Sequence, residues 1–159
     1  MLASLERIPM ADRVPARIQI GGSLAADELD QLSAHIATYD LRCDWDGEPF
    51  DRTDLPANGP LDLYALETLN GSFDDLEAYC VAYNLAFWRW AGGTTGAFDP
   101  EIIVFTGNGL PERFAASEGE IIALDPDTIA ELGSYDAILE MIERSRFDPP
   151  PFQLTSNPL

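Results

Sequence analysis

Apolar residues recur along this chain at two spacings, and each spacing predicts a different element. Ile18 and Ile20 lie two apart within residues 14–22, so they share one face of a strand that ends at Gly21-Gly22. Ser23 follows as a helix cap, and Leu29, Leu32, Ile36 and Tyr39 then step by 3, 4 and 3, the stripe of a helix over residues 23–39. Residues 40–60 are rich in Asp, Gly and Pro and carry no period, which predicts a long polar loop with Trp45 and Phe50 as its apolar anchors. Residues 61–66 alternate as a strand, and Asn70-Gly71 turns the chain. Phe73, Leu76, Cys80 and Tyr83 give a second helical stripe over residues 72–83, with Asn84 as its stop.

The second half reads mainly as strands. Residues 85–90 are dense in aromatics, 92–96 turn, and 101–105 return as the other arm of a hairpin. Asn108-Gly109 and Glu118-Gly119 bracket strands at 112–116 and 120–124. A last helix is predicted over 127–146, with Ile129, Leu132, Leu139 and Ile142 inside and Gly133 able to divide it. The prolines after Asp148 end it and predict an extended tail. The order β-α-β-α-β-β-β-β-α predicts an α+β fold. Its two front β-α steps imply a mixed parallel/antiparallel sheet, with about three helices packed on it. Residues 14–147 form one domain on this reading, between a flexible N-terminal tail (1–13) and a Pro-rich C-terminal tail (148–159). Met10 competes with Met1 as the start.

Charge narrows the partners. The chain of 159 residues carries 28 carboxylates against 9 basic residues, a net charge of −19, and all the basic residues are arginine. A field of that sign opposes general nucleic-acid binding and anionic membranes and favours a protein partner, basic partners most of all. No apolar run reaches the length of a membrane span. Met1 to Met10 lacks the pattern of a secretory signal, and the two cysteines, Cys43 and Cys80, are too far apart for a metal or redox pair. Both facts point to the cytoplasm.

Ala16-Arg-Ile-Gln-Ile-Gly-Gly-Ser-Leu24 resembles the opening of a group of small uncharacterised acidic bacterial proteins, in which a strand and two glycines lead to a helix. The Asp-Trp loop that follows there is similar to Asp44-Trp45-Asp46-Gly47 here. Leu76-Glu-Ala-Tyr79, the aromatic strand and Phe98-Asp-Pro-Glu101 are similar to the middle of that group. The resemblance implies a bacterial protein with an α+β fold and transfers no activity.

Each candidate chemistry is incomplete. Asp44, Asp46 and Glu48 begin a calcium loop, but Pro49 stands where that loop needs glycine and Leu55 where it needs the bidentate glutamate, so no metal or other cofactor is expected. The single histidine, His35, leaves zinc ligation and Cys-His catalysis without support. There is no nucleophile elbow, and a chain without lysine has no P-loop. In Phe87-Trp88-Arg89-Trp90 the two tryptophans share one face and Arg89 lies on the other. Trp and Arg are typical interface anchors, so Trp45, Trp88, Arg89 and Trp90 are the candidate binding residues. If the tryptophan face is core, truncating Trp88 or Trp90 should cost far more stability than truncating Arg89. The leading reading is a non-enzymatic protein–protein interaction module. An enzyme with an unrecognised carboxylate-lined site and an acidic decoy that imitates DNA remain alternatives.

Overall fold

The computed structural model describes residues 13–156, so the N-terminal tail lies, apart from Arg13, outside the described residues. The strands are β1 (Arg13–Ala25), β2 (Leu61–Leu69), β3 (Ala86–Ala91), β4 (Glu101–Phe105), β5 (Glu112–Ala115) and β6 (Phe152–Thr155). The helices are α1 (Leu29–Thr38), α2 (Asp74–Ala82), α3 (Pro126–Leu132) and α4 (Tyr135–Ser145).

The fold is α+β, and the expected mixed sheet with three helices is corrected. The order β2-β1-β3-β4-β5 is antiparallel at every step, and four helices of the described residues pack around it. The front β-α steps do not build right-handed crossovers. β1 instead sits in the centre, and both β2 and β3 return beside it in the opposite sense. Among the described residues the one parallel pairing is made by β6, which lies along residues 22–25 at the far end of β1. It comes from the C-terminal segment, not from a crossover.

Local signals account for most helix ends. Asn84 ends the second helix in the left-handed region at φ 57°. Gly133, at φ 77°, closes α3, and Ser134 accepts from the Ala137 N–H to start α4, so the predicted last helix is two. The strand expected at 120–124 is reduced to a single bridge between Ala116 and Ile122. Ile129 and Leu139, expected inside, are exposed, and Met141 of α4 and Phe147 just beyond it pack toward the sheet instead.

Both faces of the sheet are covered. On one, Ile18, Ile20, Leu63 and Phe87 pack against Leu32, Ile36, Leu76 and Cys80 of α1 and α2. On the other, Trp88, Trp90, Ile102 and Phe114 pack with Trp45, Met141 and Phe147. Each face therefore has its own core, and β3 contributes to both: all six of its residues are buried.

Candidate functional site

The sheet keeps an open edge at β2, and the neighbouring β1 carries a proline opposite it. In the register of β1 and β2, Ala16 faces Ala65 and Val14 faces Thr68. Two residues of β2, Leu66 and Glu67, therefore oppose Pro15 alone. The Pro15 carbonyl accepts from the Gly92 N–H at 2.8 Å, so its backbone faces β3, and a bulge in β2 takes up the extra residue. Among the described residues the outer side of β2 is bridged only at Tyr64. There the Tyr64 N–H donates to the Arg42 carbonyl at 2.8 Å and the Arg42 N–H to the Tyr64 carbonyl at 2.9 Å. Backbone groups alternate sides along a strand, so Leu66 is next to point outward. Among the described residues no strand pairs with it there. Leu66 and Leu69 are 53% and 48% exposed, large values for leucine on a sheet.

Beside this edge runs a groove of about 890 Å³, lined by Arg13, Tyr39, Leu66, Glu67, Leu69 and Asp74 among others. Its walls are fixed from below. The Tyr39 hydroxyl accepts from the Asp75 N–H at 2.8 Å, which ties the end of α1 to the start of α2. The turn at 70–73 forms one rim, and Arg89 holds it. Arg89 is 3% exposed and donates to the Gly71 carbonyl at 2.6 Å. Its fork also pairs with Glu77 at 2.9 Å and Glu101 at 3.0 Å. Glu77 in turn accepts from the Phe73 N–H at 2.8 Å, at the start of α2. A charged network inside the molecule thus sets the shape of a groove at its surface.

The predicted binding residues are placed differently from one another. Trp88, Arg89 and Trp90 are buried, and the two indole N–H groups are spent inside, on the carbonyls of Ser145 and Ser117 at 2.9 Å each. Trp45 is half-buried, edge-on to Tyr64 and Trp90 at 4.9 and 6.5 Å, where it pins its loop to the sheet. Asp44, Asp46 and Glu48 lie exposed on a small turn closed by the Arg42–Pro49 bridge. Among the described residues no group of three or more His, Cys, Asp or Glu side chains could hold a metal ion. Sequence reasoning missed the groove. The signal that could have found it was Pro15 inside the predicted first strand, since proline in a strand implies a bulge or an edge beside it.

A second, smaller cleft of about 430 Å³ opens over Arg17, Gln19 and Trp88. Arg17 makes a two-point contact with Asp62, both at 3.0 Å, and reaches Glu120 at 3.0 Å while lying over the Tyr64 and Trp88 rings. Each arm of the guanidinium is engaged within the protein. Burial and the bond to Asp62 push Tyr64 up to about 12, so the phenol stays protonated. Glu120, at φ 66° in a region that L-residues rarely adopt, is held by its bond to Arg17 and by its own N–H to the Ser117 carbonyl at 3.2 Å.

The buried network predicts an acid limb to stability. Burial alone would raise Glu101, but Arg113 at 2.7 Å and Arg89 outweigh it and hold the carboxyl below the ordinary range. A depressed folded value stabilises above the ordinary value of about 4.3, and that contribution is lost as pH falls through the folded value. The urea midpoint of the wild-type chain should therefore drop on acidification below about pH 4.3. Glu101→Gln should start lower and fall less steeply. Asp51 and Asp125, both caps held low by backbone N–H groups, keep part of the slope. An identical slope in the variant would remove Glu101 from this account.

No protein-family model, no curated protein and no solved structure matches the chain.

Proposed function

We propose that this protein is a non-enzymatic interaction module of the bacterial cytoplasm, and that the groove along the open edge of β2 is its docking surface. The observation that carries the reading is the pair Leu66 and Leu69, half-exposed leucines beside a strand edge that no described strand covers. Long, exposed apolar edges are templates for another chain, and folded proteins usually blunt them with charge. Here two leucines flank the edge and a sizeable groove adjoins it. No helix of the described residues is long and apolar enough to cross a membrane, which agrees with a partner in solution.

The charge supports a protein partner over nucleic acid. Among the described residues every arginine except Arg13 is paired with a carboxylate, so phosphates would meet few free guanidinium groups. The test is the double variant Leu66→Lys, Leu69→Lys. Both side chains are exposed, so the melting temperature should stay close to wild type. A complex isolated from the source cells with the wild-type chain should be absent with the variant. Complexes that survive the double change, or no complex at all with the wild-type chain, would overturn the reading.

A further inference from the structure

We propose that the edge of β2 takes a basic, extended segment of its partner as an added strand, with cationic side chains over Glu67 and Asp74. This rests on the reading of the groove as a docking surface and names what docks. Two independent features select the occupant. The first is backbone geometry. Beyond Tyr64 no described strand pairs with the outer side of β2, where the Leu69 carbonyl is met only by the Ser72 N–H of its own turn at 3.5 Å, and the Arg42 segment already shows how a chain joins this edge, with both hydrogen bonds of an antiparallel pair. A partner strand that continues past Arg42 would meet Leu66 next. Strand addition draws its affinity from such main-chain bonds and its choice of sequence from the side chains alongside.

The second feature is charge. Arg42 is neutralised by Asp40 at 3.2 Å and by the Gly47 carbonyl at 3.0 Å. Glu67 and Asp74 are exposed, line the groove and form no ion pair with a described residue. Arg13, at the far end, is the opposing charge. The groove is therefore negative by one, on a molecule whose net charge is −19. That field draws in a cationic segment from a distance. It also disfavours a second copy of this chain, which would bring the same charge to the same edge.

The probe is a synthetic peptide of eight residues, alternating lysine and valine. Its controls are the same peptide with alternate backbone nitrogens methylated and the same peptide with glutamate for lysine. Binding is read by calorimetry and by amide hydrogen exchange on the full chain. The lysine peptide should bind and slow exchange at the Leu66 amide, whereas both controls should bind at least about tenfold more weakly, a difference of about 1.4 kcal/mol. Glu67→Lys with Asp74→Lys should reverse the preference between the lysine and glutamate peptides. Equal binding of the methylated peptide would show electrostatic attachment without strand addition and overturn the proposal. So would protection confined to other surfaces, or no binding of the lysine peptide. Should the peptide fail while Leu66→Lys, Leu69→Lys still abolishes the cellular complex, the docking surface stands and only this occupant is wrong. Should both tests fail, the groove is not a docking surface.

Discussion

Replacing Arg89 by alanine should cost the fold about 3–5 kcal/mol, as much as truncating a buried tryptophan. The alternating pattern of β3 predicts the opposite ranking, with Arg89 on the face away from Trp88 and Trp90 and cheap to remove. The structure corrects this, because α2 covers that second face. Arg89 is 3% exposed and is bound to Glu77, Glu101 and the Gly71 carbonyl. Removing it leaves two carboxylates without their buried partner and one carbonyl without a donor, which is why breaking such a cluster costs far more than an exposed pair. Arg89→Lys should recover only part of the loss, since a point charge cannot reproduce the planar fork. Urea midpoints read the ranking, with the more exposed Arg144→Ala as the reference. A loss for Arg89→Ala no larger than for Arg144→Ala would show that the cluster does not hold the fold. The same variant should loosen the 70–73 rim, seen as faster amide exchange there.

Gly21→Ala should release the C-terminal segment. A Cβ at Gly21 would fall into the backbone carbonyl of Pro150, and backbone cannot step aside as a flexible side chain can. The chain crosses here because the Gly22 N–H donates to the Pro151 carbonyl at 3.1 Å and the Phe152 N–H to the Gly59 carbonyl at 2.9 Å. Lifting it off removes the β1–β6 ladder and exposes Phe152, now 5% exposed. The lost burial alone is worth roughly 1.5–3 kcal/mol. Gly119→Ala is the control, since its new methyl would meet only the Ser117 hydroxyl at 3.4 Å. Urea midpoints and protease cleavage near Phe152 should both separate the two variants. Matching behaviour would mean that residues 148–155 contribute little to the fold.

Several features were legible in the residues themselves. The stripes Leu29, Leu32, Ile36 and Phe73, Leu76, Cys80 are buried on the inner faces of α1 and α2. Asn84 and Gly133 end helices where their tolerance of positive φ allows it. Trp45 anchors its loop as its size in a polar segment suggested. These are short-range facts: a period, a cap or a single large apolar group decides them before any partner is chosen.

What only tertiary structure decided is which neighbours each strand found. β1 does not stop at Gly21-Gly22 but runs on to Ala25, because β6, more than a hundred residues away in sequence, lies beside residues 22–25. The residues predicted as the start of a capped helix are strand for that reason. The sense of pairing between β1 and β2 depends on how the long 40–60 segment returns, and no local pattern records it. Arg89 is charged in sequence and buried in the fold, since Glu77 comes from a helix and Glu101 from the next strand. The open edge of β2 is likewise a property of the whole sheet. Period and propensity say that a segment is a strand, whereas an edge exists only once every other strand has taken its place.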